Sequence, residues 1–260
     1  MQIVKYIMNY DLIKSIRKKL QNEESSIGSW MQIPSSSIAE IMGHAGYDWI
    51  TVDLEHGSIS VHQLPNIFRA IQLGNTLPLA RIPSPNPSDC KQVLDAGAGG
   101  IIIPMVENAE QVVKIKKACS WPPTGNRGVG FSRANLFGKY FDEYQQEAQS
   151  PMLIAQIEHV NAVNNLEEIL KVDGLDAIIV GPYDLTASMG ITAQFKNKQF
   201  NKVLSKIMEL CLKHNVACGY HIVEPKLENI TKFINKGYKF IAYCSDGIFL
   251  NTFSQNAIKR

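Results

Sequence analysis

Two short apolar runs in this sequence end in carboxylates: Met152-Leu-Ile-Ala-Gln-Ile-Glu158 and Ala177-Ile-Ile-Val-Gly-Pro-Tyr-Asp184. Nothing in a buried strand asks for a charge at its end. Short apolar strands joined by a helix-like run read as parallel neighbours, so both acids should emerge at the same edge of one sheet. Either acid alone serves equally well as a helix cap or a solvated turn residue. Together they can share a divalent cation. A hard ion such as Mg²⁺ or Mn²⁺ is commonly held by only one or two carboxylates, with water and substrate oxygens filling the other positions. A 2-oxo acid could chelate it through its carboxylate and keto oxygens. The ion would then polarise the ketone as a carbon–carbon bond breaks or a proton leaves.

Other strand-like runs also end in polar residues. Asp53-Leu-Glu-His56 closes the second, Arg81 the third, Gln156 and Glu158 the fifth and Asp184 the sixth. His221 and Glu224 close the seventh, Ser245 and Asp246 the eighth. Arg81 offers a fixed positive charge for a developing oxyanion. Histidine is the side chain suited to general acid–base chemistry near neutral pH, and His56 has Asp53 as the nearest carboxylate in sequence to hold its tautomer. The other route to such an intermediate is a lysine Schiff base, which needs a lysine at a strand end. Lys91, Lys114, Lys116 and Lys117 fall in helical patterns, Lys171 at a helix end, and Lys239 before the last strand. Their placement favours a metal. The turn Gly125-Asn-Arg-Gly-Val-Gly130 has the look of an anion cradle and equally of a plain long loop.

The elements that must position these groups repeat one sentence. Ile27–Pro34 reads as a first strand and Ser35–Gly43 as a helix with a serine cap and a glycine stop. Further strands are expected at Trp49–Leu54, Leu77–Ile82, Gly100–Met105, Leu153–Ile157, Ala177–Val180, Val216–Ile222 and Phe240–Tyr243. Helical patterns occupy Ser60–Leu73, Asp89–Ala96, Ala109–Cys119 and Leu204–Cys211 between them. Alternating β and α segments imply a parallel sheet covered by helices, and eight such units favour closure into a (β/α)8 TIM barrel, an α/β fold without sheet edges. The expectation is one domain over residues 1–260, with a leading helix in 1–25 and a C-terminal helix in 246–260. One long connection runs from about Pro122 to Ser150, a length usually tied to function or assembly.

Composition limits the partners. The 260-residue chain is 45% hydrophobic and 19% charged, with a formal net charge of +2. The cluster Lys14-Ser-Ile-Arg-Lys-Lys19 suits the solvated face of the leading helix, so neither nucleic acid nor membrane is an expected partner. The first residues do not form a signal peptide and no apolar run approaches membrane-spanning length, which points to the cytoplasm. Five cysteines, Cys90, Cys119, Cys211, Cys218 and Cys244, show no Cys-x-x-Cys spacing and read as reduced, mostly buried thiols.

Five segments together carry a resemblance: Gly46-Tyr-Asp-Trp-Ile-Thr-Val-Asp-Leu-Glu-His56, Leu94-Asp-Ala-Gly97 with Ile103-Pro-Met-Val-Glu-Asn-Ala109, Pro122-Pro-Thr-Gly-Asn-Arg-Gly-Val-Gly130, Gln156-Ile-Glu158 and Gly181-Pro-Tyr-Asp-Leu185. Over about Ile27–Leu250 the sequence resembles the HpcH/HpaI family of metal-dependent class II pyruvate aldolases. The resemblance implies a TIM barrel, usually a hexamer built as a trimer of dimers. It implies reversible cleavage of a 4-hydroxy-2-oxo acid to pyruvate and an aldehyde through a metal-stabilised enolate. By that likeness Glu158 and Asp184 hold Mg²⁺, Mn²⁺ or Co²⁺, and Arg81 steadies the enolate. His56 is the acid–base residue, assisted by Asp53 and by Asp95 from a neighbouring subunit. Gln156 contacts pyruvate, the backbone around Gly181 and Tyr183 cradles its carboxylate, and the last helix packs on a neighbour. Two positions depart from the family pattern. Tyr183 is bulkier than the usual small residue, and His221 stands where dicarboxylate-processing relatives are often apolar. The latter points to a polyhydroxylated or sugar-like aldehyde. Two other readings stay open: a coenzyme A thioester lyase like the related citrate-lyase β-subunit and malyl-CoA-lyase barrels, and a metabolite-binding barrel without turnover.

Overall fold

Strand pairing follows chain order. In the computed structural model, which describes residues 9–255, eight parallel strands close into a barrel. They are β1 (Ser26–Met31), β2 (Trp49–Asp53), β3 (Leu77–Arg81), β4 (Gly100–Ile103), β5 (Met152–Ile157), β6 (Ala177–Val180), β7 (Ala217–Ile222) and β8 (Phe240–Ser245). The helices are α1 (Asn9–Gln21), α2 (Ser36–Gly43), α3 (Leu64–Leu73), α4 (Pro87–Asp95), α5 (Ala109–Cys119), α6 (Phe141–Gln149), α7 (Val160–Asn164), α8 (Leu166–Leu170), α9 (Pro182–Ser188), α10 (Lys198–His214), α11 (Leu227–Asn235) and α12 (Asp246–Ser254). The expected leading and C-terminal helices correspond to α1 and α12, and their expected outer parts, residues 1–8 and 256–260, lie outside the described residues.

The period-two alternation of a strand divides each run between two cores. Outward residues pack under the helices in one large apolar layer, while Trp30, Trp49, Leu77, Leu79, Ile102, Met152, Ile154, Ile179, Phe240 and Ala242 fill the barrel with Ile13 and Ile16 of α1. Helix α1 lies across the end where the strands begin, and Asn9 donates to the Gly97 carbonyl just before β4. The indole of Trp49 stacks on Phe240 with centroids 4.3 Å apart. It needs the space left by Gly28, where a Cβ would fall 2.1 Å from its ring.

Three elements differ from the sequence expectation. Helix α10 is longer than Leu204–Cys211, because the polar residues flanking that apolar stretch continue the helix on its solvent side. The long connection is partly ordered as a 3₁₀ turn at Arg133–Asn135 and helix α6, over a small core of Trp121, Ala134, Tyr144 and Ala148. Strand β8 continues past Tyr243 through a bulge: Gly28 pairs with Ala242 but Trp30 with Ser245. The extra residue, Cys244, takes φ 58° and turns into the outer layer. All five cysteines are free and buried.

Beneath the barrel, the buried carboxyl of Glu147 accepts from Asn9 at 2.9 Å. Burial pushes its pKa up to about 7, and the Asn9 bond and the nearby Arg127 only partly oppose this. A raised carboxyl pKa favours the folded state most below the unfolded value and loses that contribution as pH climbs through the folded one. We therefore expect stability to fall by roughly 1–3 kcal/mol from this group between pH 4.5 and 7.5. Glu147→Gln should flatten that decline in urea unfolding followed across pH. A parallel decline in both proteins would contradict the assignment.

A second expectation concerns Gly28. Because β-sheet backbone and a stacked indole leave no room, Gly28→Ala should lower stability by about 3 kcal/mol or prevent folding. A melting temperature equal to that of the wild type would refute the packing argument.

Candidate active site

Carrying the inward parity one step higher along the strands leads out of the apolar core. Trp49 and Thr51 are followed by Asp53, Leu77 and Leu79 by Arg81, Met152 and Ile154 by Gln156 and Glu158, and Gly219 by His221. The barrel is thus capped by a polar tier at the carboxyl ends of its strands, where barrels of this kind carry their sites. A cavity of about 310 Å³ opens there, lined on one side by His56, Arg81, Gln156, Gly181, Tyr183 and Asp184, and on the other by Trp30, Gln32, His221, Val223, Ser245 and Ile248.

Arg81 is the hub. Its Nε donates to Asp53 Oδ1 at 2.9 Å and its Nη2 to Asp53 Oδ2 at 2.6 Å, a two-pronged contact. Nη1 lies 2.8 Å from Glu55 Oε2, and the guanidinium sits 5.2 Å above the Trp30 ring. Arg81 is 6% exposed and Asp53 fully buried. Burial opposes charge on Asp53. The Arg81 bonds and charge, Gln32 and the His56 backbone N–H outweigh it and hold the carboxyl below its ordinary pKa. Burial likewise opposes charge on Arg81, and Asp53, Glu55 and Glu158 more than restore it.

Glu158 follows β5 and is 2% exposed. Its Oε1 accepts from the Met105 backbone at 2.6 Å, and its Oε2 accepts from the Gln156 amide. Burial lifts its pKa to about 7; the Met105 bond and Arg81 pull it down, while Glu55 and Asp184 push it further up. Burial, with Asp53 and Asp184 adding to it, also raises Glu55 against the pull of Arg81. Asp184 stands exposed in the first turn of α9, behind Gly181. A Cβ at Gly181 would fall 2.6 Å from Glu158 Oε2 and 3.0 Å from Gln156 Nε2, so a side chain there would push both polar ends out of their present positions.

The structure gathers nine of the ten residues expected at the site. His56, Arg81, Gln156, Gly181, Tyr183, Asp184 and His221 line the cavity, Asp53 braces Arg81, and Glu158 engages Gln156. Asp95 is elsewhere. It ends α4, which runs back from the rim, and its carboxylate lies 3.6 Å from Arg127 at the other end of the barrel. The Gly125–Gly130 turn carries that Arg127 inward onto Tyr144, at 3.0 Å, so in the single chain it braces the long connection. Asp53 meets His56 through the main chain alone, accepting its backbone N–H at 3.2 Å, because both carboxylate oxygens face Arg81. Glu224 points away and pairs with Lys226. The ring of Tyr183 stands edge-on to Phe195, 4.9 Å away, at the cavity mouth.

Three contributors are additional to the sequence expectation. Gln32 continues the inward parity of Gly28 and Trp30 and donates to Asp53 Oδ2 at 3.0 Å, a position the alternation of β1 points to. Trp30 carries the same parity. Met105 acts through its backbone N–H from a positive φ of 46°, for which its side-chain type gives no signal. Breaking the hub should be costly: Asp53→Asn leaves Arg81 under-compensated and should destabilise by about 3 kcal/mol. In a double-mutant cycle with Arg81→Met, a coupling of about 1 kcal/mol or more is expected. Additive losses would show that the pair is not a unit.

Residues 26–252 match the family model described as HpcH/HpaI aldolase/citrate lyase. The chain is 34% identical to a hydroxypyruvate/pyruvate aldolase of Roseobacter denitrificans, covering 95% of this chain and 97% of that one. It is also 34% identical to a 4-hydroxy-2-oxovalerate aldolase of Novosphingobium aromaticivorans, over 94% and 92% of the two chains. Among solved structures, an HpcH/HpaI aldolase/citrate lyase family protein from Burkholderia cenocepacia superposes with a TM-score of 0.87 at 28% identity, covering 94% and 98%.

Proposed function

The chain belongs to the HpcH/HpaI aldolase/citrate lyase family, and from that premise we propose that this carbon–carbon lyase is a class II aldolase cleaving a 4-hydroxy-2-oxo acid reversibly to pyruvate and an aldehyde. The observation that carries the reading is the charge imbalance at the cavity. Among the described residues, Asp53, Glu55, Glu158 and Asp184 gather around one guanidinium, Arg81. A buried excess of carboxylate is costly unless a cation joins it.

A divalent cation fits this donor set. Glu158 and Asp184 would hold it, and the described residues contain no cluster of three or more His, Cys, Asp or Glu side chains arranged for a metal. Two carboxylates with the remaining positions open suit a hard ion such as Mg²⁺, Mn²⁺ or Co²⁺. When bound, it supplies Lewis acidity to the keto group of the substrate.

The chain's own groups do the rest. Asp53 takes one N–H from Nε and one from Nη2, and Glu55 is ion-paired with Nη1, which leaves N–H groups of Arg81 for a substrate oxygen that gains charge. In the cleavage direction His56 takes the proton from the C4 hydroxyl; the C3–C4 pair of electrons then moves into the enolate as the aldehyde departs. In the synthetic direction His56 returns that proton to the new hydroxyl. Gln156 and the start of α9 at Gly181 and Tyr183 line the place for the oxo acid's carboxylate. Asp95 reaches a rim only if another copy of the chain presents it, so the proposal includes an oligomer, a hexamer built as a trimer of dimers, with α12 on a neighbour. Among the described residues no helix is long and apolar enough to cross a membrane, and a cytoplasmic site of action accords with small-molecule substrates.

Calorimetric titration with Mn²⁺ tests the ligand pair. Glu158→Gln and Asp184→Asn should each weaken binding at least tenfold. Titrations matching the wild type in both variants would remove these residues from the metal site.

A further inference from the structure

The side of the cavity away from Glu158 and Asp184 has a construction of its own. His221, on β7, lies with its ring stacked on Trp30 of β1, centroids 4.8 Å apart and planes within 21°. A ring N–H of His221 bonds the Cys244 backbone. Cys244 is the bulge residue of β8, and its left-handed backbone accompanies the register shift that brings Ser245 opposite Trp30. Without the bulge, plain alternation would turn Cys244 into the barrel and Ser245 out of it. Asp246 then locks the end of β8 to β1 by accepting the backbone N–H groups of Gln32 and Ile33, each at 2.9 Å. A bulge beside a site commonly serves to re-aim one side chain.

Three polar atoms on this wall are left over: the indole N–H of Trp30, a donor only, and two atoms that can accept. His221 Nε2 and Ser245 Oγ are buried and find no hydrogen-bond partner among the described residues, although both residues line the cavity. With one ring N–H directed to the Cys244 backbone and Nε2 the nitrogen without a partner, the neutral ring presents its lone pair at Nε2. Burial, aided by the charge of Arg81, lowers the ring's pKa to about 4, so it stays neutral and accepts. Ser245 can both donate and accept. An acceptor beside a hydroxyl suits an alcohol group, and suits a methyl group badly.

We infer that His221 and Ser245 are specificity-determining residues that read a hydroxyl on the aldehyde partner, making the acceptor an α-hydroxyaldehyde. The inference rests on the aldolase reading above, which places the oxo acid at Glu158, Asp184 and Arg81 and leaves the β7–β8–β1 wall to the other substrate. Nε2 accepts the substrate's O–H, and Ser245 Oγ donates to the same oxygen. A partner without that hydroxyl leaves both atoms buried and unpaired, which disfavours it.

The test compares glycolaldehyde with acetaldehyde as acceptors for pyruvate in the Mn²⁺-loaded enzyme, reading the ratio of kcat/KM within each protein. The wild type should prefer glycolaldehyde, and in His221→Leu the ratio should fall about tenfold or more. Ser245→Ala should lower it in the same direction. His221→Gln, whose amide oxygen can accept in place of Nε2, should retain part of the preference. This rescue separates hydrogen bonding from packing on Trp30. A parallel arm replaces pyruvate by hydroxypyruvate with acetaldehyde held constant. An unchanged ratio in both His221→Leu and Ser245→Ala overturns the inference. So does a change confined to the hydroxypyruvate arm, which would place the hydroxyl on the oxo acid. If the wild type adds pyruvate to neither aldehyde, the aldolase reading itself fails, whereas activity with an insensitive ratio removes only the inference.

Discussion

A guanidinium enclosed at the top of an apolar barrel has to be matched charge for charge, and the rest of the site is arranged around that demand. Arg81 cannot shed its proton, so Asp53 must stay ionised beneath it and Glu55 beside it. Asp53 then has no oxygen to spare for the His56 ring, and the two residues are joined through the backbone. Gln32 is recruited from β1 to complete the Asp53 shell. Trp30 gives the guanidinium a π-face on the side away from its carboxylates. A well-packed apolar substitute would serve stability as well, so the pair accords with the proposed catalytic role of Arg81.

Once Arg81 is neutralised from below, the acids above it have no counterion of their own among the described residues. Glu158 is held by donors on both oxygens, from Met105 and Gln156, and is still pushed up by burial and by its acidic neighbours. Such a carboxylate is pre-aimed and under-neutralised, which suits a ligand for a cation. Asp184, on the exposed first turn of α9, is free to complete the pair with little desolvation. The barrel thus separates by height apolar packing in the lower tiers, fixed positive charge in the next, and at the rim the two acids proposed to hold a cation.

Most of this arrangement is legible in the linear sequence because strand parity is so regular. Trp49-Ile-Thr-Val-Asp53 and Leu77-Pro-Leu-Ala-Arg81 alternate cleanly, and a charge at the top of the inward set has few bland explanations. The eight repeating units likewise carry their caps and stops in the residues themselves, as Ser35 and Asn108 show by capping α2 and α5. What escapes is whatever depends on the backbone or on register. The bulge at Cys244 inverts the parity of β8, and no residue type announces it. The donor from Met105 is main-chain, and Asp53 pairs with the Arg81 side chain while meeting His56 only at its backbone N–H, a choice its place in the sequence does not reveal. The position of Asp95 illustrates a third limit, since the run of α4 takes it away from the rim of its own chain.

The central claim is that this barrel makes an enolate from pyruvate with a cation at Glu158 and Asp184 and with Arg81 as the fixed charge. Deuterium incorporation into the methyl group of pyruvate in heavy water, followed by NMR, reads that step without any acceptor. The account predicts incorporation that requires added Mg²⁺ or Mn²⁺ and that drops at least a hundredfold in Arg81→Lys, which keeps the charge but loses the planar fork. Incorporation at the same rate without a divalent cation, or undiminished in Arg81→Lys, would contradict it.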